Sequence, residues 1–466
     1  MKRLRKILVR GAVVLFALLL LAVIFSLDGV DRRTYFRQPY YQQTVARLRA
    51  AGSTNEIARG ELFVGYGQAL LTPTINAPQD EPAKGQFRAL PLSGYGDRQG
   101  RPATGVHDDL FIKAVAVRVG ERIGVMLGAD ALIIPREVTD LAMQRIESEL
   151  KLSRAQVYLS ATHTHCSLGA WGEGLVAEAF AGGYQAGARV WFADRIVSAI
   201  RDAVADLKPA SFGHNRFNAP EFIRNRLVGS EGRVDPEFSY AVFQQSGGKR
   251  IVMGSFSAHA TVLGGSVMEF SGDYPGVWQR VVEKATGGAA VFLAGGVGSH
   301  SPVSGGKGFE GVTNMGNALA TRLIAQLPQT SLTNWLAFGL LGLDVTMPPL
   351  NVRVSDNIRL RPWLAKQLMP VQPESYLQAF RLNDSLWIST PCDFSGELAL
   401  DMKDFTRARG AYSVVTSFNG DYVGYVICPR YYSMNGYEPR VMSFFGPNVP
   451  DYFCELMRGI AVELTE

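Results

Sequence analysis

The sequence predicts an α/β fold: central mixed β-sheets flanked by helices, forming a single large domain behind one apolar N-terminal helix. Three observations lead there. Apolar, β-branched runs alternate with amphipathic helical patterns along most of the chain. Hydrophobic residues make up 47% of it and charged residues 19%, the balance of a globular body rather than a disordered one. One uncharged stretch, GAVVLFALLLLAVIFSL at 11–27, stands apart from that alternation.

Taken in order, residues 1–10 are a basic segment carrying Lys2, Arg3, Arg5, Lys6 and Arg10. The apolar run at 11–27 is at the short limit for a spanning helix, which takes about 20 residues. A basic flank before an apolar run favours a cytoplasmic N-terminus and an exported body. No small-x-small cleavage pattern closes the run, where FSLDGVDRR follows. The expectation is an uncleaved signal-anchor in the cell membrane, with secretion after cleavage as the alternative. Residues 28–61 read as a polar stalk with a helix around TVARLRAAG, and the body as 62–466.

Within the body, IGVMLGADAL precedes REVTDLAMQRIESEL, AQVYLSAT precedes ARVWFADRIVSAIRDAVADL, and AAVFLAGG precedes TNMGNALATRLIAQL. Each pair is a strand run followed by a helical one. Val190, Ile196, Val197, Ile200 and Val204 predict the buried face of the helix at 188–207. NWLAFGLLGLDV (334–345) is too short to span a bilayer and predicts a buried strand, or else a lipid-facing edge.

Several functions are excluded. The formal charge of +5 resides largely in the first ten residues, so a nucleic-acid surface has no basis. Neither a GxxxxGK[ST] loop nor the dinucleotide fingerprint occurs. Cys166, Cys392, Cys428 and Cys454 are too few and scattered for a disulfide framework, and no CxxC spacing offers thiolate zinc.

Of the chain's 6 histidines, two fall one residue apart in SATHTHCSLG (160–169). If AQVYLSAT is a strand, His163 and His165 project from one face. That spacing alone fits both a polar pair on a solvated strand end and a metal ligand beside a catalytic neighbour, since neutral imidazole is a common zinc ligand.

Around this pair, GADALIIPREVTDLAMQRIESELKLSRAQVYLSATHTHCSLGAW resembles the corresponding segment of neutral/alkaline ceramidases, zinc amidases that split ceramide. LSGYGDRQGRPATGVHDDLFIKAVAV upstream is similar to that family's Gly-Tyr-Ala block. NRLVG, FSAHAT, GSHSP, TPCDF, DYVGYVICPRYYSMNGYE and FFGPN follow in the family's order, covering roughly residues 62–450. The resemblance implies zinc ligands at His163, His259, Asp393 and Tyr425. It implies substrate contact and proton transfer at His165, substrate contacts at Arg226 and Tyr437, and a site serine at Ser301. It implies a ceramide-like lipid substrate cleaved by metal-activated water, with the membrane as partner. Read singly, His259 fits a core histidine, Asp393 a helix N-cap, Tyr425 a packed strand tyrosine and Arg226 a salt bridge.

The sequence departs from the family in places. Asp393 stands where the family has glutamate, with Glu397 as the reserve acid. GSHSP replaces Gly-Asp-x-Ser-Pro, so Ser299 takes the aspartate's place and His300 enters. A serine nucleophile needs an adjacent base, and neighbouring strand residues face opposite ways, so Ser301 is expected on the site wall or at the oxyanion. CSLGAW replaces Ser-Gly-Pro-Gly, and the family's C-terminal β-sandwich is expected to be absent. These departures leave two alternatives open: a zinc hydrolase of another amide or ester, and a non-catalytic membrane-anchored lipid-binding homologue.

Overall fold

A computed structural model describes residues 2–369 and 371–466. The strand Ala58–Leu70 is the branch point of the architecture, pairing with Phe111–Val119, Lys208–Asn218 and Trp335–Thr346. The first branch continues through Arg122–Ala129 to Val157–Ala161. The second runs through Glu237–Gln245 and Arg250–Phe256 to Ala289–Ala294. The third runs through Glu374–Leu382 and Ser385–Ser389 to Tyr412–Thr416. These twelve strands form one mixed sheet.

The branches enclose a common core that includes Val64, Val117, Phe243, Val291, Phe338 and Trp387. Burying a side chain such as Phe338 or Phe380 contributes roughly 1.5–3 kcal/mol. Helices cover the outer faces: Arg136–Leu150 and Ala186–Ala205 on the first branch, Asp273–Thr286 and Gly308–Gln326 on the second, Gly396–Arg407 and Val449–Thr465 on the third. Helix Arg136–Leu150 shows why the sequence folds this way. Val138, Ala142, Met143 and Ile146 fall on one face and are buried. The helix stops where Lys151 turns left-handed at φ 59°.

Each branch ends in a parallel pair, and these pairs set the position of the site. Parallel strands leave a sheet at the same end, and hydrogen bonds join the three sets of ends. Ser417 N–H donates to Ala294 O (3.0 Å) and Ser160 Oγ–H to Ser417 O (2.8 Å). Gly295 N–H donates to Phe256 O (2.9 Å), and Thr390 N–H to Thr416 O (2.9 Å). Loops from all three branches therefore meet in one place, the usual position for a site on a sheet with parallel pairs.

Two expectations change. On helix Ala186–Ala205, Val190 is exposed and Val204 only partly buried, while Trp191, Phe192, Ile196, Val197 and Ile200 form the buried face. Local period alone misplaced the stripe by part of a turn. Residues 28–61 are not a free stalk. Helix Pro39–Ser53 buries Thr44 and Leu48 against the body, and Tyr35 and Tyr41 both donate to Glu455. Leu27–Gly29 pairs with Ile358–Leu360, and Ala58 already pairs with Phe338. Trp335–Thr346 is a strand within the sheet, with Leu336, Phe338, Leu343 and Val345 buried. The N-terminal helix Lys2–Ser26 lies outside the body, none of its most apolar window buried, and is long and apolar enough to cross a membrane.

Candidate metal centre and its cavity

The histidine pair lies just beyond the strand rather than on it. The strand ends at Ala161, and His163 adopts a left-handed φ of 65°. That conformation costs a non-glycine residue on the order of 1 kcal/mol. It is held by His163 N–H donating to Ala131 O (2.9 Å) and by the ring, whose Nδ1–H donates to Leu132 O (2.6 Å). Phe418 stacks on the same ring at 4.1 Å. The two histidines do face each other, with Nε2 atoms 3.4 Å apart, but a loop turn produces this rather than strand alternation.

His259 arrives from the second branch, just after Arg250–Phe256, and is 1% exposed. Its Nδ1–H donates to Val297 O (3.2 Å), and its Nε2 lies 2.8 Å from His163 Nε2 and 3.1 Å from His165 Nε2. A backbone carbonyl can only accept, so Nδ1 carries a proton in both His163 and His259, and in the neutral form of each ring Nε2 is a bare lone pair. Two such lone pairs at 2.8 Å repel unless a cation lies between them. Burial, followed by His163 and Arg226, holds His259 well below the ordinary histidine range, so its ring is neutral.

Asp393 and Tyr425 come from the third branch and reach the cluster together, because Asp393–Phe394 pairs in parallel with Tyr425–Val426 and places the two residues opposite each other. Asp393 is 1% exposed. Its Oδ2 accepts from the Tyr422 hydroxyl (2.8 Å), while its Oδ1 lies 3.3 Å from His163 Nε2 and has no hydrogen-bond donor. A buried carboxylate oxygen beside an imidazole nitrogen is a natural partner for positive charge. Burial and Asp393 hold the Tyr425 phenol protonated, against the pull of Arg226.

The donor set thus fits a divalent metal of intermediate softness: imidazole nitrogens, a carboxylate and a phenol oxygen. His163, His165 and His259 form a buried group able to hold a metal ion. The pairing with Tyr425 brings the Asp393 backbone close to the cluster. Gly298 allows this approach, since a Cβ there would lie 2.3 Å from Asp393 O.

His163, His165, Asp393, Tyr422, Tyr425 and Tyr437 line one small cavity of about 30 Å³. Tyr437 is half-exposed at its rim, edge-on to Tyr425 at 5.9 Å. Arg226 is pinned beside it: Nε lies 2.8 Å from Glu438 Oε1, Nη2 donates to Gly298 O (3.3 Å), and the guanidinium sits 5.3 Å from the Tyr425 ring centre. A larger cavity of about 140 Å³ adjoins and shares Ile133, Phe180 and Tyr422, with Trp171, Val176 and Phe444 also on its wall.

Two candidates lie elsewhere. Ser301 is half-buried in the strand His300–Pro302, opposite Arg224, and does not line the cavity. The hydroxyl that faces inward is that of Ser299, which receives Ser395 Oγ–H (3.1 Å) and Gly396 N–H (3.0 Å). Oε1 of Glu397 is engaged by Arg233 N–H, Arg430 and Tyr431, and the residue does not line the histidine cavity, where Asp393 does. The N-cap of helix Gly396–Arg407 is Ser395, not Asp393.

Residues not anticipated from the sequence complete the site. Arg98, 1% exposed, donates to the carbonyls of His165, Ser93, Gly265 and Val267 and so fixes the histidine loop. Tyr95 packs its ring 4.7 Å from that of His165. Gly94, at φ 114°, leaves room for the imidazole, since a Cβ there would meet its ring at 2.6 Å. All three belong to the GYGDR run; its glycines signalled a close approach, but nothing local indicated what approached.

A mixed α/β scaffold gathers at its strand ends three histidines that could hold a metal ion, with an acid and a tyrosine beside them. Residues 83–331 match the family described as neutral/alkaline non-lysosomal ceramidase, N-terminal, and the chain belongs to that family. The match includes His163, His165, Arg226 and His259; Asp393, Tyr425 and Tyr437 lie beyond it. The crystal structure of neutral ceramidase from Pseudomonas aeruginosa superposes with a TM-score of 0.71 at 18% identity, over 86% of this chain and 74% of that one. A ceramidase complexed with C2 gives 0.72 at 18%, over 86% and 75%. No curated protein sequence matches the chain.

Proposed function

We propose that the protein hydrolyses the N-acyl amide of ceramide or a closely related N-acylated lipid, with zinc held by His163, His259, Asp393 and Tyr425. The observation that carries this reading is the convergence of the His163 and His259 Nε2 atoms, from two distant loops, beside a donor-less carboxylate oxygen of Asp393. Bound there, zinc supplies a Lewis acid that polarises an amide carbonyl and brings water toward ionisation near neutral pH. His165 faces the same cavity; burial, then His163, Arg98 and Arg226, hold it well below the ordinary range, so it enters the reaction neutral and able to take a proton at Nε2. The same ring then returns that proton to the leaving amine.

Arg226 stays charged despite its burial because Tyr425 and Glu438 favour the cation, which suits it to a substrate carbonyl or developing oxyanion. Tyr437 at the rim offers a hydroxyl to a polar headgroup, and the adjoining apolar cavity offers room for a hydrocarbon chain. Helix Lys2–Ser26, retained as an anchor, would keep the site beside its amphiphilic substrate.

The test is an assay of the full chain in detergent against fluorescent N-acyl sphingoid bases and simple fatty amides, with and without chelator. Fatty-acid release from the sphingoid substrates that stops on chelation is expected. Release that ignores chelator, or none from any sphingoid substrate, contradicts the reading. Tyr422→Phe should weaken metal affinity roughly 10–100-fold by releasing Asp393 Oδ2, with the fold intact. Competition with a graded chelator reads that shift.

A further inference from the structure

Where the N-terminal helix meets the body, guanidinium groups outnumber carboxylates. Leu27–Gly29 follows the helix directly and pairs with Ile358–Leu360, setting Asp28 opposite Arg359. Arg361 donates to Ser26 O through its backbone N–H and to Leu27 O through Nε (3.0 Å), locking the helix end to the same loop. Arg353 bridges back to Arg359 and lays its guanidinium 3.8 Å from the centre of the Tyr432 ring. Arg32 Nη2 donates to Asp356 O (3.4 Å), and the carboxylate of the same Asp356 pairs with Arg440. Two carboxylates answer these four cations, Asp28 beside Arg359 (3.4 Å) and Asp356 on Arg440, while Asp31 is taken by Arg33.

Arg353 and Arg359 are 8% and 6% exposed, and Nε and Nη1 of both find no acceptor. Nε of Arg440 is left in the same condition. Buried N–H groups in such number form a cradle short of an anion.

We propose that Arg32, Arg353, Arg359 and Arg440 bind the phosphate of an anionic phospholipid headgroup. Guanidinium forks match phosphate oxygens two at a time. The neighbouring helix, if it spans the bilayer, delivers the cradle to headgroup depth, and the exposed Trp363 beside it is a residue type that settles at a membrane interface, with Val354 and Ile358 as exposed apolar neighbours. The same cradle touches the cavity lip. Arg353 donates to Pro439 O, and Arg440 belongs to the turn Tyr437–Val441, whose Tyr437 lines the histidine cavity. A bound lipid would hold that lip against the bilayer. The inference rests on retention of the helix as an anchor and not on amide hydrolysis.

The test is thermal unfolding of the full chain in uncharged detergent, titrated separately with phosphatidylglycerol, phosphatidylcholine and inorganic phosphate. Phosphatidylglycerol should raise the midpoint saturably, and the other two should not at matched concentration. Arg32→Gln, at an exposed position, should raise the half-saturating phosphatidylglycerol concentration about fivefold and leave the lipid-free midpoint unchanged. The double variant Arg353→Gln/Arg359→Gln should abolish the response. An equal response to phosphatidylcholine, a full response to inorganic phosphate alone, or an unshifted titration in Arg32→Gln overturns the proposal. Should the double variant fail to fold, Arg32→Gln decides.

Discussion

Replacing His259 with alanine is expected to lower kcat/KM for amide hydrolysis by roughly a thousandfold or more and to release the metal. The magnitude follows from what is lost: several kcal/mol of charge stabilisation at the carbonyl, at about 1.4 kcal/mol per factor of ten in rate. His163→Ala should behave alike, and the double variant should cost no more than either single one, because both rings serve one ion. The fold should survive. The His259 backbone N–H keeps its bond to His300 O, and the surrounding sheet does not depend on the ring. Metal content, far-ultraviolet circular dichroism and kcat/KM on one preparation check this. A His259→Ala variant that keeps both metal and rate would remove His259 from the centre.

His165→Gln carries the second large effect and separates two jobs for one ring. Its Nε2 is 3.1 Å from His259 Nε2, close enough for the ring to serve as a third nitrogen ligand. Its Nδ1 makes no close hydrogen bond like those of the other two histidines, only a weak approach to the Gly94 backbone. That freedom suits a ring that gains and loses a proton. Loss of a general acid–base typically costs about 10²–10⁴-fold in kcat. The expected result is a fall of that size with metal retained at wild-type stoichiometry. Metal lost in parallel with activity would make His165 a ligand.

The fold was legible wherever its cause is local. Helix Arg136–Leu150 and strand Val157–Ala161 follow from short-range periodicity, and both stand where that pattern puts them. The meeting of His163 with His259 was open to family order, but its geometry was not: it depends on a left-handed residue at 163 and on carbonyls at 132 and 297 that orient the rings. Asp393 and Tyr425 illustrate a different limit. Each alone reads as an ordinary residue, and their partnership exists only in a two-residue parallel bridge between remote loops. Ser301 and Glu397 were misplaced for a related reason. Spacing along the chain cannot say which of Ser299 and Ser301 turns inward, nor that Arg233, Arg430 and Tyr431 engage the acid on the helix. The stalk failed because polarity at 28–61 hid Thr44, Leu48 and the tyrosine contacts to Glu455.

The most direct measurement is an anomalous-difference map at the zinc edge from crystals of the full chain grown with zinc. The account predicts one strong peak at about 2.0–2.1 Å from Nε2 of both His163 and His259, with an Asp393 oxygen in the same shell. A fully zinc-loaded crystal with no peak between those two rings would contradict it.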